Sequence, residues 1–475
     1  MSESAATTVA TSSVRRLSPA VQFALLAGPL LSMLDSSIVN VAVAPIARQL
    51  RAGLPAVQWA VSGYLLALGT GLAASAYLSR RFGTLPVYGA SVIAFTAASA
   101  ACAAAPDVQV LIATRIAQGL VAAPLVPLAM SMLFGKSEAI RSMPATAGML
   151  LFLGPALGPS VGGALIGVVG WRSIFVINVP VGIAAALAVR RIPADMAPAA
   201  QGRASLDRTG LLLLAGGLAA LLLGISQAGS AGWAAAVAWV PMATGIALLA
   251  GYALWSARTG QSAQPRQPAL DLSLASTGRG ALALTLCALA SVVTFAAVFL
   301  LPVFMQDVQG HSALAAGIAM LPQGIITGLS TTLGQHALRL ITVRTTVLAG
   351  FALLTAASLG LLAIGAQTSL ALVSLLLAGR SVSIGLVISP LLAVLTQPLE
   401  PARLNDATSL FSIWQRIAGS LGIGLIAAVY AQQSAARGPV TALHVVGGMI
   451  AGIAALGLLA APLLPAQRNV TAYSR

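Results

Sequence analysis

An all-α chain threaded repeatedly through a lipid bilayer is the fold class this sequence predicts, and three observations predict it. Hydrophobic residues make up 58% of the 475 and charged residues only 7%, with a mean hydropathy of +0.94. That composition requires lipid rather than water as solvent. Apolar runs of roughly 18 to 27 residues recur between short polar breaks, each long enough to cross a ~30 Å hydrocarbon core as a helix. Basic residues then fall on alternate breaks, as they do when cytoplasmic loops hold the Lys/Arg excess.

Taken in order, segment 1–20 is polar and Ser/Thr-rich with Arg15 and Arg16 near its end, and the apolar run after it is too long for a signal peptide; it reads as a cytoplasmic tail. Spans are expected at 21–46, 57–78, 87–105, 109–133, 143–168 and 174–190, then 209–228 and 233–256, then 280–304, 313–334, 345–366, 369–396, 407–430 and 440–464. With the N-terminus inside, the inner segments carry Arg15, Arg16, Arg80, Arg81, Lys136, Arg141, Arg190, Arg191, Arg203, Arg208, Arg258, Arg266, Arg279, Arg339, Arg344, Arg403, Arg468 and Arg475. The outer loops carry Arg48, Arg51, Arg172 and Arg437, a ratio of 18 to 4 that an odd helix count would scramble. The sequence therefore predicts fourteen helices, both termini cytoplasmic, and a multi-pass protein of the plasma (inner) membrane.

Two inner loops, 191–208 and 257–279, are longer than the rest and rich in Pro, Gln, Ser and charge, as linkers are. They divide the chain into a six-helix bundle at 21–190, linkers with an inserted helix pair at 191–279, a second six-helix bundle at 280–464, and a cytoplasmic tail at 465–475. Repeated six-helix halves are a mark of secondary transporters. Arg115 in the fourth helix of the first half and Arg380 in the fourth of the second echo one another.

Other function classes find no support. The formal charge of +15 is spread over scattered residues, 24 of the 25 basic ones Arg, with no basic run or interleaved aromatics for nucleic acid. Cys102 and Cys287 lie in apolar runs without metal-ligand spacing, and His311, His336 and His444 fall at helix ends. No phosphate loop, metal cluster or nucleophile elbow occurs, so the reading is of no enzyme, no cofactor and no metal.

The chemistry concentrates on charges inside spans. A carboxylate at the bilayer centre costs on the order of 2.5 to 3.5 kcal/mol, which makes Asp35 a functional candidate in need of a partner. Asp35 enters from the inner face and Arg115 from the outer, and at 1.5 Å per residue both sit about 21 Å from the inside. Such a pair would break on protonation, coupling a structural contact to proton occupancy; the alternative is an ion pair that only orients two helices. Arg380 and Arg416 lie about 14 Å deep with no carboxylate at that depth in the second half. Either they bond backbone carbonyls or Gln415, or they make that wall attractive to anionic or zwitterionic ligands. Asp307, beside Gln306 at the outer end of the ninth span, reads as a solvated loop acid first, and otherwise as a gate or second proton site. Phe299, Phe304, Phe411, Trp414, Met305 and Met320 are candidates for an adaptable apolar pocket, and equally for lipid contact.

Several motifs resemble the major facilitator superfamily, and within it the fourteen-helix drug:proton antiporter family of multidrug exporters, from about Leu34 to Ala431. Leu34, Asp35, Ile38, Val39, Asn40, Val41 and Ala42 resemble LDxTIVNVALP; Gln58, Trp59 and Tyr64 resemble QWxxxxYxL; Arg115, Gln118 and Gly119 match RxxQG. Gly154, Pro155, Gly158, Pro159, Gly162 and Gly163 match the motif that separates the superfamily's antiporters from its symporters. Trp171, Arg172, Phe175, Asn178, Pro180 and Gly182 match WRxxFxxNxPxG, and Leu301, Pro302, Gln306, Gly310, Ser312, Gly317 and Pro322 resemble the second half's LPxYxQxxxGxSxxxxGxxxxP. The chain departs from the family at Arg80, where an acid is usual and the cytoplasmic latch is expected to be weaker; at Ser381 and Ser383, which replace glycines after Arg380; and at Gln415 and Arg416, which stand in swapped order.

The resemblance implies a major facilitator fold and a monomer that exports small amphipathic molecules in exchange for protons, with the proton gradient as energy source and no cofactor. Asp35 and Arg115 are the implied proton-coupling pair. The candidate substrate residues are Asn40, Gln118, Phe299, Gln306, Met320, Arg380, Trp414, Gln415 and Arg416. The rival readings are a proton-coupled metabolite importer and a non-transporting membrane sensor or scaffold.

Overall fold

The computed structural model describes residues 18–134, 145–197, 200, 206–259, 272–397, 399 and 404–466. Most of the two expected tails, with Arg15, Arg16, Arg468 and Arg475, and the loop residues Lys136, Arg141, Arg203, Arg266 and Arg403 lie outside the described residues.

Among the described residues fourteen helices follow one another and no strand occurs. They are α1 (Pro19–Gln49), α2 (Leu54–Phe82), α3 (Thr84–Ala104), α4 (Val108–Leu133), α5 (Ala145–Val169), α6 (Ser173–Val189), α7 (Arg208–Ala231), α8 (Ala236–Thr259), α9 (Gly278–Asp307), α10 (Ala313–Leu340), α11 (Val343–Leu359), α12 (Leu370–Thr396), α13 (Leu404–Arg437) and α14 (Pro439–Ala460). Twelve are long and apolar enough to cross a membrane; α6 and the apolar stretch Leu157–Val169 of α5 are the two shorter ones. This is an all-α, multi-pass membrane protein.

Local chemistry sets the helix ends. Ser18, Asp107, Asp207, Thr277, Ser312, Thr342 and Ser369 each accept a backbone N–H three residues on, satisfying a donor that the first turn of a helix leaves unpaired. Gly83 and Gly232 end α2 and α7 with φ of 90°, which a Cβ would strain. Two helices break where proline forces it. α4 turns at Ala123 and Pro124, and α6 at Ile177 ahead of Pro180, because proline supplies no N–H and crowds the carbonyl four residues back.

The halves meet in a two-fold-related pattern. The first helices of the bundles touch (α1 with α9), and the second helix of each packs on the fifth of the other (α2 with α13, α10 with α5). Inserted α7 leans on both α2 and α13: Ser226 Oγ donates to the Pro55 carbonyl at 2.8 Å, and a Cβ on Gly229 would stand 2.7 Å from Ala428 Cα. Its partner α8 exposes Val237, Trp239, Val240, Ile246 and Leu254, an apolar face suited to lipid.

The bonds between the bundles gather toward the end of the molecule that carries the α1–α2 connection. There Gln306 Nε2 donates to the Val41 carbonyl at 3.0 Å, Ser160 Oγ to the Gly317 carbonyl at 2.9 Å, and Ser420 Oγ to the Ser62 carbonyl at 2.8 Å. Arg48 and Asp307 pair at 3.9 Å over the rim of a cavity of about 500 Å³, lined by Val43, Ala47, Tyr430, Ser434 and Pro439 among others.

Candidate functional site: a buried charge cluster and a glycine seam

Asp35 sits midway along α1 with no solvent exposure, and the helices around it supply its partners. Arg115 of α4, equally buried, donates from Nη1 to Asp35 Oδ2 at 2.5 Å. Asn178, placed at the break in α6, donates to Asp35 Oδ1 at 3.0 Å, and Gln118 of α4 reaches the same oxygen at 3.3 Å. The depth match expected between Asp35 and Arg115 is thus realised as a direct contact.

A second tier holds the guanidinium. Arg115 Nε donates to the Ala60 carbonyl of α2 at 2.8 Å, Nη1 also reaches Gln118 Oε1 at 2.7 Å, and the ring of Tyr64 lies 4.0 Å from the guanidinium carbon. Phe175 of α6 presents its ring at 5.6 Å. Ser99 of α3 accepts from Gln118 at 2.7 Å and from Asn178 at 3.4 Å, which orients both amides toward the carboxylate. Five of the six helices of the first bundle therefore meet at one carboxylate. Arg115 Nη2 and Asn178 Oδ1 make no hydrogen bond among the described residues.

In low dielectric such a pair offsets part of the burial cost of each charge, and an unpaired member is expensive. A proton on Asp35 removes the attraction and leaves Arg115 held by neutral acceptors and an aromatic face. The arrangement is one carboxylate whose contacts depend on whether it carries a proton. Substituting Asn178→Ala removes a bond to the charged oxygen and is expected to cost about 1.5–3 kcal/mol of stability, measured as a lower unfolding midpoint in detergent.

Next to this cluster runs the glycine-rich stretch of α5. Gly154, Gly158 and Gly162 face α1, where an added Cβ would meet Leu30, Ser37 and Ile38. Gly163 faces α10 of the other bundle: a Cβ there would stand 2.9 Å from Leu314 Cα and 3.0 Å from the Ala313 carbonyl carbon. Gly317 answers from α10 against Pro159 and Ser160. One helix therefore presses its glycines on the Asp35 helix and on the opposite bundle at once, a packing that only small residues permit. Pro159 is buried in this contact; the side chain of Pro155 lies outside the described residues.

The sequence profile of the Major Facilitator Superfamily matches residues 25–423. The chain belongs to the major facilitator superfamily. A multidrug resistance protein B homolog of Mycobacterium tuberculosis (strain CDC 1551 / Oshkosh) is 32% identical over 407 residues, which cover 84% of this chain and 74% of the relative. Cephamycin export protein CmcT of Amycolatopsis lactamdurans is 29% identical over 457 residues, covering 93% and 91%. Among solved structures, a peptide transporter in complex with sulfate superposes with a TM-score of 0.65 at 15% identity, covering 95% of this chain and 96% of that one. The nucleoside transporter NupG gives 0.64 at 12%, covering 94% and 99%. At these identities the structures show the shared fold.

The residues expected to line a substrate pocket of this facilitator protein occupy several different environments. Gln118 is fully buried inside the charge cluster, and Cys102 donates to its Oε1 at 3.5 Å. Phe299 and Met320 are packed in the hydrophobic core, as are Phe304, Phe411 and Met305, because their helix faces turn toward neighbouring helices. Gln306 joins α1 to α9, and Asn40 bonds the Ser37 carbonyl of its own helix at 3.1 Å. Arg380 follows the carbonyl alternative: Nη1 donates to Val293 O at 2.9 Å and Nη2 to Thr294 O at 3.2 Å. These carbonyls belong to α9, the repeat counterpart of α1, whose single carboxylate, Asp307, lies at the far end of the helix. Trp414, half-buried, donates to Leu284 O at 3.0 Å, while Gln415 and Arg416 stay partly exposed.

Asp307, exposed at the end of α9, pairs with the exposed Arg48 of α1 at 3.9 Å. Arg80 lies in the last turn of α2, where positive charge complements the helix dipole. Ser99, Asn178 and Tyr64 complete the Asp35 site without having been singled out for it. Asn178 and Tyr64 gave a signal as polar positions within matched motifs, whereas a serine such as Ser99 in an apolar run gives none.

Proposed function

We propose that this protein exports amphipathic small molecules across the plasma membrane in exchange for protons, by rocking its two bundles in alternation around a central site. The observation that carries the reading is the buried Asp35 with Arg115, Gln118 and Asn178 closed around it: a carboxylate placed so that one proton alters the bonding among α1, α4 and α6. The Asp35 helix also touches α5 and α9, so its displacement bears on the contacts that hold one end shut. The export direction is supported by the glycine motif of α5 and by relatives named for multidrug resistance and for cephamycin export.

With both termini cytoplasmic, as the Arg distribution favours, the α1–α2 end, where the bundles are bonded together, is external. A proton then reaches Asp35 from outside only after that end opens. Substrate leaves in the same state, so proton uptake and substrate release take place on the same side. The test is flux in proteoliposomes of the purified protein under an imposed pH gradient. Antiport gives movement of a fluorescent amphiphile against the proton flow, with about one proton or more counted per molecule. Accumulation along the proton flow would favour the importer reading, and absence of flux the sensor or scaffold.

A further inference from the structure

Four charged side chains stand in the interior of the described membrane spans: Asp35, Arg115, Arg380 and Arg416. Three are cations and one is an anion. Asp35 and Arg115 neutralise each other, and Arg380 is almost wholly buried against two carbonyls of α9. Arg416 differs. Among the described residues it makes no hydrogen bond and no ion pair, and its side chain retains partial exposure.

Its location is the seam between the halves. A Cβ on Gly69 of α2 would stand 3.5 Å from Arg416 Cβ, and the charge of Arg416 acts on Tyr64, the ring that backs Arg115. Arg416 also belongs to a stripe of incompletely buried polar residues on α13, with Thr408, Ser409, Ser412 and Gln415. A polar stripe of that length within a span faces a hydrated cavity or protein rather than lipid. Half-buried Leu72 and Ala73 lie one turn along α2 from Gly69, on the same face of that helix.

We propose that Arg416 is the specificity-determining residue for the exported molecule, receiving a carboxylate or similar acidic group while the apolar body rests between α2 and α13. This deepens the export reading and rests on it. A guanidinium presents five donors in a fork that matches a carboxylate, and Gln415 adds an amide on the adjacent position. No side chain among the described residues neutralises Arg416, so the compensating anion comes with the ligand. Asp35 does not act as a rival attractor for cations, because it is enclosed and already paired. The preferred substrates are therefore acidic or zwitterionic amphiphiles.

The test compares two probes of equal chain length, 11-(dansylamino)undecanoate and its trimethylammonium counterpart, by fluorescence binding to the full chain in detergent with no gradient. The wild type is expected to bind the carboxylate at least tenfold tighter. Arg416→Gln should weaken carboxylate binding about 10–100-fold, the worth of a charge-assisted hydrogen bond, and abolish the preference, while Arg416→Lys keeps part of it. Tighter binding of the ammonium probe by the wild type, or carboxylate affinity unaltered in Arg416→Gln, overturns the assignment; so does equal loss in the Gln and Lys variants, which marks a packing defect. Because binding needs no proton gradient, Arg416-dependent binding without pH-driven flux supports the assignment and counts against the exchange reading alone.

Discussion

Asp35→Asn is expected to reduce pH-gradient-driven transport at least ~100-fold while leaving the protein folded and able to bind its substrate. Asparagine keeps the volume of the side chain and an oxygen to accept from Arg115, but it carries no titratable proton. Flux in proteoliposomes should become independent of the imposed gradient, whereas exchange of labelled for unlabelled substrate, which needs no net proton movement, should persist. Transport by Asp35→Asn that still follows the pH gradient would remove Asp35 from the coupling role. The converse change, Arg115→Gln, strands a buried carboxylate and should cost about 3–5 kcal/mol, read as lower yield and a lower unfolding midpoint. Combining the two substitutions should restore much of that stability without restoring coupling, since the pair is then neutral on both sides. That non-additivity measures the energy of the pair, and the gradient dependence of flux is what separates a proton-responsive element from an ion pair that only orients α1 and α4.

Gly163→Leu is expected to hold the α1–α2 end open and to cut transport by more than tenfold. Even the first carbon of the new side chain would fall 2.9 Å from Leu314 Cα and 3.0 Å from the Ala313 carbonyl carbon. Both are backbone atoms of α10, so no rotamer change relieves the overlap and the helices must separate. The bundles then cannot reach the contact in which Ser160 bonds Gly317 and Gln306 bonds Val41. Single cysteines introduced at Val43 or Ser434, beside the cavity at that end, should label faster with a membrane-impermeant maleimide in Gly163→Leu than in the parent. Native Cys102 and Cys287 are buried and should contribute little to the labelling. Unaltered labelling would show that α5 and α10 accommodate the side chain without opening, and the seam would lose its role in closure.

By itself the sequence determined the fold class, the order and approximate number of spans, and one of the charge pairings. Apolar runs of span length are set by bilayer thickness and Arg placement by membrane topology, and both constraints act on local sequence. The Asp35–Arg115 contact was legible for the same reason: depth in a bilayer follows from counting residues along two helices. Azimuth did not follow. Whether Phe299, Met320 and Gln118 face a cavity or a neighbour depends on how each helix is rotated in the bundle, and near-uniform apolarity around these spans leaves little periodic signal to fix that rotation. Only the tertiary structure therefore decided that Gln118, Ser99 and Asn178 converge on Asp35, that Arg380 bonds α9 carbonyls, and that Arg416 at the seam has no hydrogen-bond or ion-pair partner among the described residues. Close approach of α5 to α1 and α10 was foreshadowed by its glycines, but which glycine meets which helix was a matter of three-dimensional packing, since residues one apart in sequence point about 100° apart on a helix and so address different neighbours.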